Sequence, residues 1–443
     1  MTADMTPGTA AAPATSAATP SVSGRVGASE RVAGRRQWPL PKDADPKAPL
    51  LEVEHLTTHF RLPNATVHAV DDVSFRLDDG EALGIAGESG CGKTTTALSL
   101  VRILPSNARI VSGTVKLFGI DLVKKSPTAL RRYRWREIAI VFQGAMNALN
   151  PVRRIRDQIA EPLEERLQVP RKEALKRAGE LLELVGIPKG RGSAYPHELS
   201  GGMRQRSMIA MALACDPAVI IGDEPTTALD VMVQAQILEL FERLRHELGL
   251  SLILITHDLS VIAETCDRVL VMYAGKVAEE GSVSTVFRNP RHPYTAKLLG
   301  AFPNIRADRR TLDVIPGSPP DLRDPPKACR FAARCPMARD LCREVAPPEV
   351  ILPDGVRVAC HLWPEGSDGV TPAWTTPSKP EIAVGADAPI TPETVAAAAA
   401  LSAAALATDG HPADAPAAGE PAADELPADG PRADGPAPTE PAA

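Results

Sequence analysis

Short apolar runs recur along the middle of the chain, separated by stretches whose apolar residues fall three and four apart. Leu83-Gly-Ile-Ala86, Ile138-Ala-Ile-Val-Phe142, Val219-Ile-Ile221 and Leu252-Ile-Leu-Ile255 show no polar alternation. Strands with that pattern are buried on both faces, as in a mainly parallel sheet covered by helices. Leu51–Phe60 and Val67–Leu77 alternate instead, which predicts an antiparallel β layer. From about 150 to 215 no comparable run appears. There Lys172–Val185 places Ala174, Leu175, Ala178, Leu181, Leu182 and Val185 at helical spacing. The expectation is an α/β domain over 49–300 with a helical subdomain at about 145–215. No repeat of solenoid period interrupts it.

The two ends depart from this pattern. Residues 391–443 contain 20 Ala, 9 Pro and no aromatic residue, and residues 1–48 are mostly Ala, Thr, Ser, Pro and Gly. Such segments cannot bury enough apolar surface to offset the entropy of ordering, so 1–48 and 367–443 are expected to be disordered. The run Val395–Ala407 is too short and too weakly apolar to span a bilayer. The N-terminus lacks the compact apolar core of a signal peptide, which predicts a cytoplasmic protein.

Charge sharpens the division. The chain's formal net charge is −6. Five Asp, four Glu and one Arg give 391–443 a net of −8, and six bases against four acids give 1–48 a net of +2. The middle, 49–390, is left with 42 charges of each sign. A generally basic nucleic-acid binder is excluded, because no long-range positive field exists to collect phosphates.

Three motifs carry candidate chemistry. Gly87-Glu-Ser89-Gly90-Cys91-Gly92-Lys93-Thr94 fits the phosphate-loop pattern, directly after a predicted strand and before the helical stretch Thr94–Val101. Its glycines let backbone N–H groups, with Thr95 following, turn toward phosphate. Lys93 supplies a point charge, and Thr94 a hydroxyl for Mg²⁺. Val219-Ile-Ile-Gly-Asp223-Glu224 ends a strand in two carboxylates, at the edge where α/β sheets bind ligands. Asp223 is suited to hold Mg²⁺ and Glu224 to polarise an attacking water. Between them lies Leu199-Ser200-Gly201-Gly202-Met203, a candidate helix N-terminus able to hold an anion.

With Leu-Ser-Gly-Gly in that place the chain resembles the ATP-binding subunits of ABC transporters, whose signature motif this is. Met203 stands where Gln is more usual. The resemblance implies further roles. Gln143 fits the Q-loop glutamine that contacts Mg²⁺ or water, and Ala228-Leu229-Asp230 fits the D-loop. His257 fits the switch histidine that bonds the γ-phosphate. Phe60 is the candidate adenine-stacking aromatic, with His68 competing. An ABC-type phosphate-loop fold and ATP hydrolysis are implied. So is a head-to-tail pair of subunits, in which the signature motif of one meets the phosphate loop of the other.

Asn289-Pro-Arg-His292-Pro293-Tyr294-Thr295 and Ile315–Leu322 resemble the C-terminal extension of oligopeptide and dipeptide importers, here 301–366. So do Phe142-Gln-Gly-Ala-Met-Asn-Ala-Leu-Asn-Pro151 and Gln234–Leu238. The combination is most similar to the first, D-type, ATPase subunit of such importers. Implied partners are transmembrane permease subunits, a second, F-type ATPase subunit and an extracytoplasmic solute-binding protein, with no nucleic acid. The implied place is the cytoplasmic face of the membrane. Related subunits also serve nickel, sugar and antimicrobial-peptide transport. Soluble ABC ATPases and an iron–sulfur redox regulator are the readings from other classes.

The extension holds Cys329, Cys335, Cys342 and Cys360. In a cytosolic protein such a cluster suggests metal before disulfide, and the spacings differ from those of zinc ribbons. Several members of the resembled family bind a 4Fe–4S cluster there, and four thiolates suit one. Reduced cysteines, zinc and disulfides are the alternatives. Arg330, Arg334, Arg339 and Arg343 are placed to offset thiolate charge. Cys215 and Cys266 are expected in the core. Cys91, at a helix N-terminus, is expected to have a lowered pKa and to be open to oxidation.

Overall fold

The structure is a computed structural model that describes residues 39–144, 148–227, 229–301 and 315–363. Residues 1–38 and 367–443, where the sequence predicts disorder, lie outside the described residues. So do 145–147, Ala228 and 302–314. Residues 39–48 form turns that pack Leu40 and Ala44 on the core, and the Asp45 N–H donates to the Phe118 carbonyl at 2.9 Å. Order therefore begins ahead of the expected boundary at 48.

β1 (Leu51–Leu62) and β2 (Ala65–Leu77) form an antiparallel hairpin with Val53 opposite Phe75 and Phe60 opposite Val67. β3 (Ala82–Ala86) is wholly buried and runs into the phosphate loop and α1 (Lys93–Leu100). β4 (Ala108–Leu117) pairs with β1 and is followed by the short β5 (Ile120–Asp121). These complete a four-stranded antiparallel sheet in the order β2-β1-β4-β5. After α2 (Pro127–Leu130) and β6 (Ile138–Val141) come the expected helices α3 (Ile155–Leu167), α4 (Arg171–Leu184) and α5 (Gly201–Ala212).

The chain then returns through β7 (Val219–Asp223), α6 (Val231–Leu248), β8 (Ser251–Ile255), α7 (Leu259–Thr265) and β9 (Arg268–Tyr273). β10 (Lys276–Ser282), α8 (Val283–Arg288) and α9 (Pro293–Gly300) follow. The extension contributes α10 (Asp340–Glu344), β11 (Glu349–Ile351) and β12 (Arg357–Ala359). The second sheet has the order β11-β12-β10-β9-β3-β8-β7-β6. Its β6, β7, β8, β3 and β9 are parallel, and β10, β12 and β11 add an antiparallel edge. The extension is thus hydrogen-bonded into the ATPase sheet.

The central strands sort their residues by parity, because successive side chains point to opposite faces. Leu83, Ile85, Ile221, Ile253, Ile255, Leu270 and Met272 join a core shared with α1 and the antiparallel sheet. Ala82, Ile220, Leu252, Leu254, Val269 and Val271 join a second core with the helices. Each fully buried Leu or Ile contributes about 2 kcal/mol. Two covered faces leave only the strand ends open, and the carboxyl ends of β3, β6, β7 and β8 carry the site.

Candidate ATP site

The phosphate loop turns because Gly92 takes a left-handed conformation, with φ of 107°, as the N-cap of α1. A Cβ at that position would lie 2.3 Å from the Ala69 carbonyl, so no other residue fits. Lys93 is buried and its ammonium folds over the loop, donating to the Gly87 carbonyl at 2.6 Å and the Glu88 carbonyl at 3.1 Å. The Cys91 carbonyl accepts from the Gly275 N–H at 2.9 Å, which fastens the far side of the loop. Ser89 and Gly90 are exposed at its mouth, and Thr95 is half-buried.

Beneath the loop, the Thr94 hydroxyl donates to Asp223 Oδ1 at 3.1 Å. Asp223 is 1% exposed, and burial pushes its carboxyl up to about 6 against the opposing hydrogen bond from Thr94. Glu224 follows with φ of 46°, a left-handed conformation that a non-glycine residue adopts at a cost of order 1–3 kcal/mol. The turn aims its carboxylate into the site. Gln143 Nε2 donates to Glu224 Oε2 at 2.6 Å and the Thr227 hydroxyl to the same oxygen at 3.0 Å. His257 Nδ1 lies 3.3 Å from Oε1. The loops after β6, β7 and β8 therefore bring Gln143, Asp223, Glu224 and His257 together beside Lys93 and Thr94. A Mg²⁺ ion fits this set. It takes one or two carboxylates, with substrate phosphates and water completing its shell, and Asp223 and Thr94 offer such oxygens.

The signature residues sit elsewhere. Ser200 caps α5 and accepts from the Met203 N–H at 3.3 Å, with Gly201 and Gly202 forming the first turn. Among the described residues no hydrogen bond or ion pair ties this turn to the phosphate loop of the same chain. Asp230 caps α6, accepting from the Val233 N–H at 3.0 Å. Phe60 lies half-buried at the end of β1, where neighbouring His59 and His68 bring their ring centroids within 4.1 Å.

Two expectations about cysteine need correction. Cys91 is 4% exposed, and burial pushes its thiol up despite the pull of Lys93, so the helix N-terminus does not make it reactive. Arg330 and Arg334 do not face the cysteines. Arg330 pairs with Asp71 and Arg334 with Glu88 of the phosphate loop. Cys215 and Cys266 are core residues as expected, their thiols pushed up by burial to about 12.

Cys329, Cys335, Cys342 and Cys360 all line one pocket of the extension, without disulfides. Backbone N–H groups point at each sulfur: Phe331 and Ala332 at Cys329, Met337 at Cys335, Arg339 at Cys342 and Leu362 at Cys360. Burial pushes the thiols of Cys335 and Cys360 up, to about 11 and about 12. Among the described residues no three His, Cys, Asp or Glu side chains are grouped as ligands of a single metal ion.

Sequence reasoning missed Tyr294 and Arg334 as neighbours of the phosphate loop. Tyr294 is fully buried and its hydroxyl accepts from the Glu88 N–H at 2.8 Å. Its place in His292-Pro293-Tyr294 was the only signal, and nothing local joined it to residue 88.

Residues 70–227 match the ABC transporter family, and residues 278–342 match the oligopeptide/dipeptide transporter C-terminal region. A Sinorhizobium fredii protein named a probable peptide ABC transporter ATP-binding protein is 48% identical over 322 residues, 72% of this chain and 96% of that one. The dipeptide transport ATP-binding protein DppD of Bacillus subtilis is 46% identical over 316 residues, 71% of this chain and 94% of that one. Likeness of that depth over nearly the whole length of both relatives, on a chain whose phosphate loop, paired carboxylates and signature helix stand in these positions, makes the protein a member of the ABC transporter ATP-binding family and an ATPase.

Proposed function

We propose that this ATPase drives a membrane importer of di- and oligopeptides, as a D-type subunit. The match of 278–342 to the oligopeptide/dipeptide transporter C-terminal region, in one chain with a full set of ATP motifs, carries the reading. No described helix is long and apolar enough to cross a membrane, so passage belongs to permease partners. We assign 49–300 to the ATPase unit, with its helical part at about 145–215, and 301–366 to the extension. The chain acts at the cytoplasmic face, with a solute-binding protein outside and an F-type ATPase subunit as the second half of the pair.

Lys93 leaves the Gly87 and Glu88 carbonyls for the β- and γ-phosphates, and the N–H groups from Ser89 to Thr95 close around them. Thr94, Asp223 and Gln143 would hold Mg²⁺, which would supply positive charge against the phosphates. Glu224, oriented by Gln143, Thr227 and His257, polarises the water that attacks the γ-phosphorus as the bond to ADP breaks. His257 then bonds the γ-phosphate oxygens. Phe60 stacks on adenine. Ser200, Gly201, Gly202 and Met203 serve the ATP of the partner subunit, and Asp230 meets the partner near its phosphate loop. Closure of the pair completes the donors, which links hydrolysis to movement.

We propose a 4Fe–4S cluster, rather than zinc, for the four cysteines. A tetrahedral Zn²⁺ with sulfur at about 2.3 Å needs sulfurs about 3.8 Å apart, and no such grouping is present among the described residues. This reading is supported by four cysteines lining one pocket, each sulfur met by a backbone N–H, as suits a thiolate-bound centre.

Glu224→Gln tests the mechanism. Turnover should fall at least about a hundredfold while an ATP-bound dimer accumulates on size exclusion. Undiminished hydrolysis refutes the role. Peptide uptake by cells lacking the chain tests the cargo, and unchanged uptake refutes it.

A further inference from the structure

We propose that Arg334, on the loop between Cys329 and Cys335, is a positioning residue of the ATP site that holds the phosphate loop through Glu88. Its guanidinium meets the carboxylate as a fork, Nη1 donating to Oε2 at 2.7 Å and Nη2 to Oε1 at 3.0 Å. Nη1 also donates to the Tyr273 hydroxyl at 3.1 Å, and Nε to the Pro316 carbonyl at 2.9 Å. The Arg334 side chain is 7% exposed and that of Glu88 22%. An exposed pair of this kind does little, but a sheltered fork fixes both distance and plane.

Glu88 is the residue that most needs fixing. It follows Gly87 directly, and its carbonyl receives the Lys93 ammonium at 3.1 Å. When phosphate draws Lys93 away, that carbonyl keeps only the Cys91 N–H, at 3.2 Å. Its N–H is held by Tyr294 at 2.8 Å and its carboxylate by Arg334, both from chain beyond β10. The same loop reaches the other end of the phosphate loop. Arg330 donates to the Ala274 carbonyl and to Asp71, and the next residue, Gly275, donates its N–H to the Cys91 carbonyl at 2.9 Å. A phosphate loop binds through backbone N–H groups that must converge, so slack at Glu88 weakens every one of them. The extension thereby completes the ATP site that its own chain carries. This rests on the phosphate loop being the ATP site and not on the cargo or on what the cysteines bind.

The test compares Arg334→Gln, Arg334→Lys, Glu88→Arg and the swapped pair Glu88→Arg with Arg334→Glu, all in the full chain. ATP affinity is titrated with a fluorescent ATP analogue, and KM, kcat and melting temperature are measured alongside. Arg334→Gln should weaken binding and raise KM at least about tenfold, with kcat at saturation little changed. Arg334→Lys should fall between it and the wild type, since a point charge replaces a fork. The swapped pair should regain affinity that both Glu88→Arg and Arg334→Gln lose. A lower melting temperature with unchanged ATP affinity would make Arg334 a mere brace and overturn the proposal. If Arg334→Gln does not fold, the swapped pair decides, and absence of rescue overturns it. Glu224→Gln is the control: normal ATP hydrolysis there would refute the ATPase mechanism and leave the Arg334 binding result standing by itself.

Discussion

A charged Asp223 in the nucleotide-free protein is a burden at neutral pH. Burial raises its carboxyl from 3.8 to about 6, so the folded protein binds this proton more readily than the unfolded chain. Stability from this group is greatest below the unfolded value, declines as pH rises from about 4 to 6, and the penalty is complete above that. The penalty is on the order of 3 kcal/mol. Asp223→Asn keeps an acceptor for the Thr94 hydroxyl and removes the charge. In chelator at pH 7.5 it should melt several degrees higher than wild type, and the gain should vanish near pH 4. Mg²⁺-dependent hydrolysis should be lost. Calorimetry across pH checks the first part and phosphate release the second; equal melting at pH 7.5 removes the argument. Cys91 supports a second prediction. Buried and with its thiol pushed up, it should resist alkylation in the native protein and react after denaturation, as peptide mass spectrometry would show, and ATPase activity should survive mild peroxide. Lys93, Asp223, Glu224 and His257 were legible because each sits at a fixed offset from a strand that its own sequence announces. Arg334 was not, since the carboxylate it meets is 246 positions away and nothing local marks either residue as a partner.

Elements with one plain period were legible to within a residue or two: α4 covers Arg171–Leu184 where the pattern predicted Lys172–Val185. β10 was hidden for a physical reason. Lys276-Val-Ala-Glu-Glu-Gly-Ser282 reads as polar, yet it is a strand whose central residues are buried. Its carboxylates are satisfied from afar: Glu279 accepts the Arg291 and His292 N–H groups at 2.7 and 2.9 Å, and Glu280 pairs with Arg268 and Arg357. Local pattern cannot show partners that distant. Arg357 comes from β12, so the ion pair also helps seat the extension on the sheet. Packing between α5 and α6 gives an element-scale prediction. A Cβ on Gly202 would lie 2.6 Å from Val233 Cγ1 on α6. Alanine in a helix gains about 1 kcal/mol over glycine, but overpacking costs about 1–3 kcal/mol. Gly202→Ala should therefore push the signature turn off α6, lowering both melting temperature and ATPase rate. Adding Val233→Ala should restore most of each. A Gly202→Ala protein as stable and active as wild type would show that α5 and α6 slide freely.

At the scale of the whole molecule, the separation between signature turn and phosphate loop is the telling feature. Ser200 and its neighbours cap α5 without a bond to residues 87–95 of their own chain among the described residues, while both sets carry unspent N–H groups suited to phosphate. Two copies arranged head to tail would bring each turn to the other's loop. That makes a specific complementation possible. Lys93→Ala disables a loop and leaves its turn intact, and Ser200→Arg does the reverse. Each alone should be inactive, because every composite site in its dimers contains one damaged half. Mixed, the Ser200→Arg loop meets the Lys93→Ala turn, and one sound site forms in each mixed dimer. Random pairing of equal amounts makes about half the dimers mixed, each with one of two sites working, so about a quarter of wild-type activity should return. Wild-type protein at the same concentration, without any second ATPase subunit, is the control that the chain pairs with itself under the conditions used. With that control active, a mixture as dead as its components means that one chain supplies both halves of its own site, and the head-to-tail pair fails.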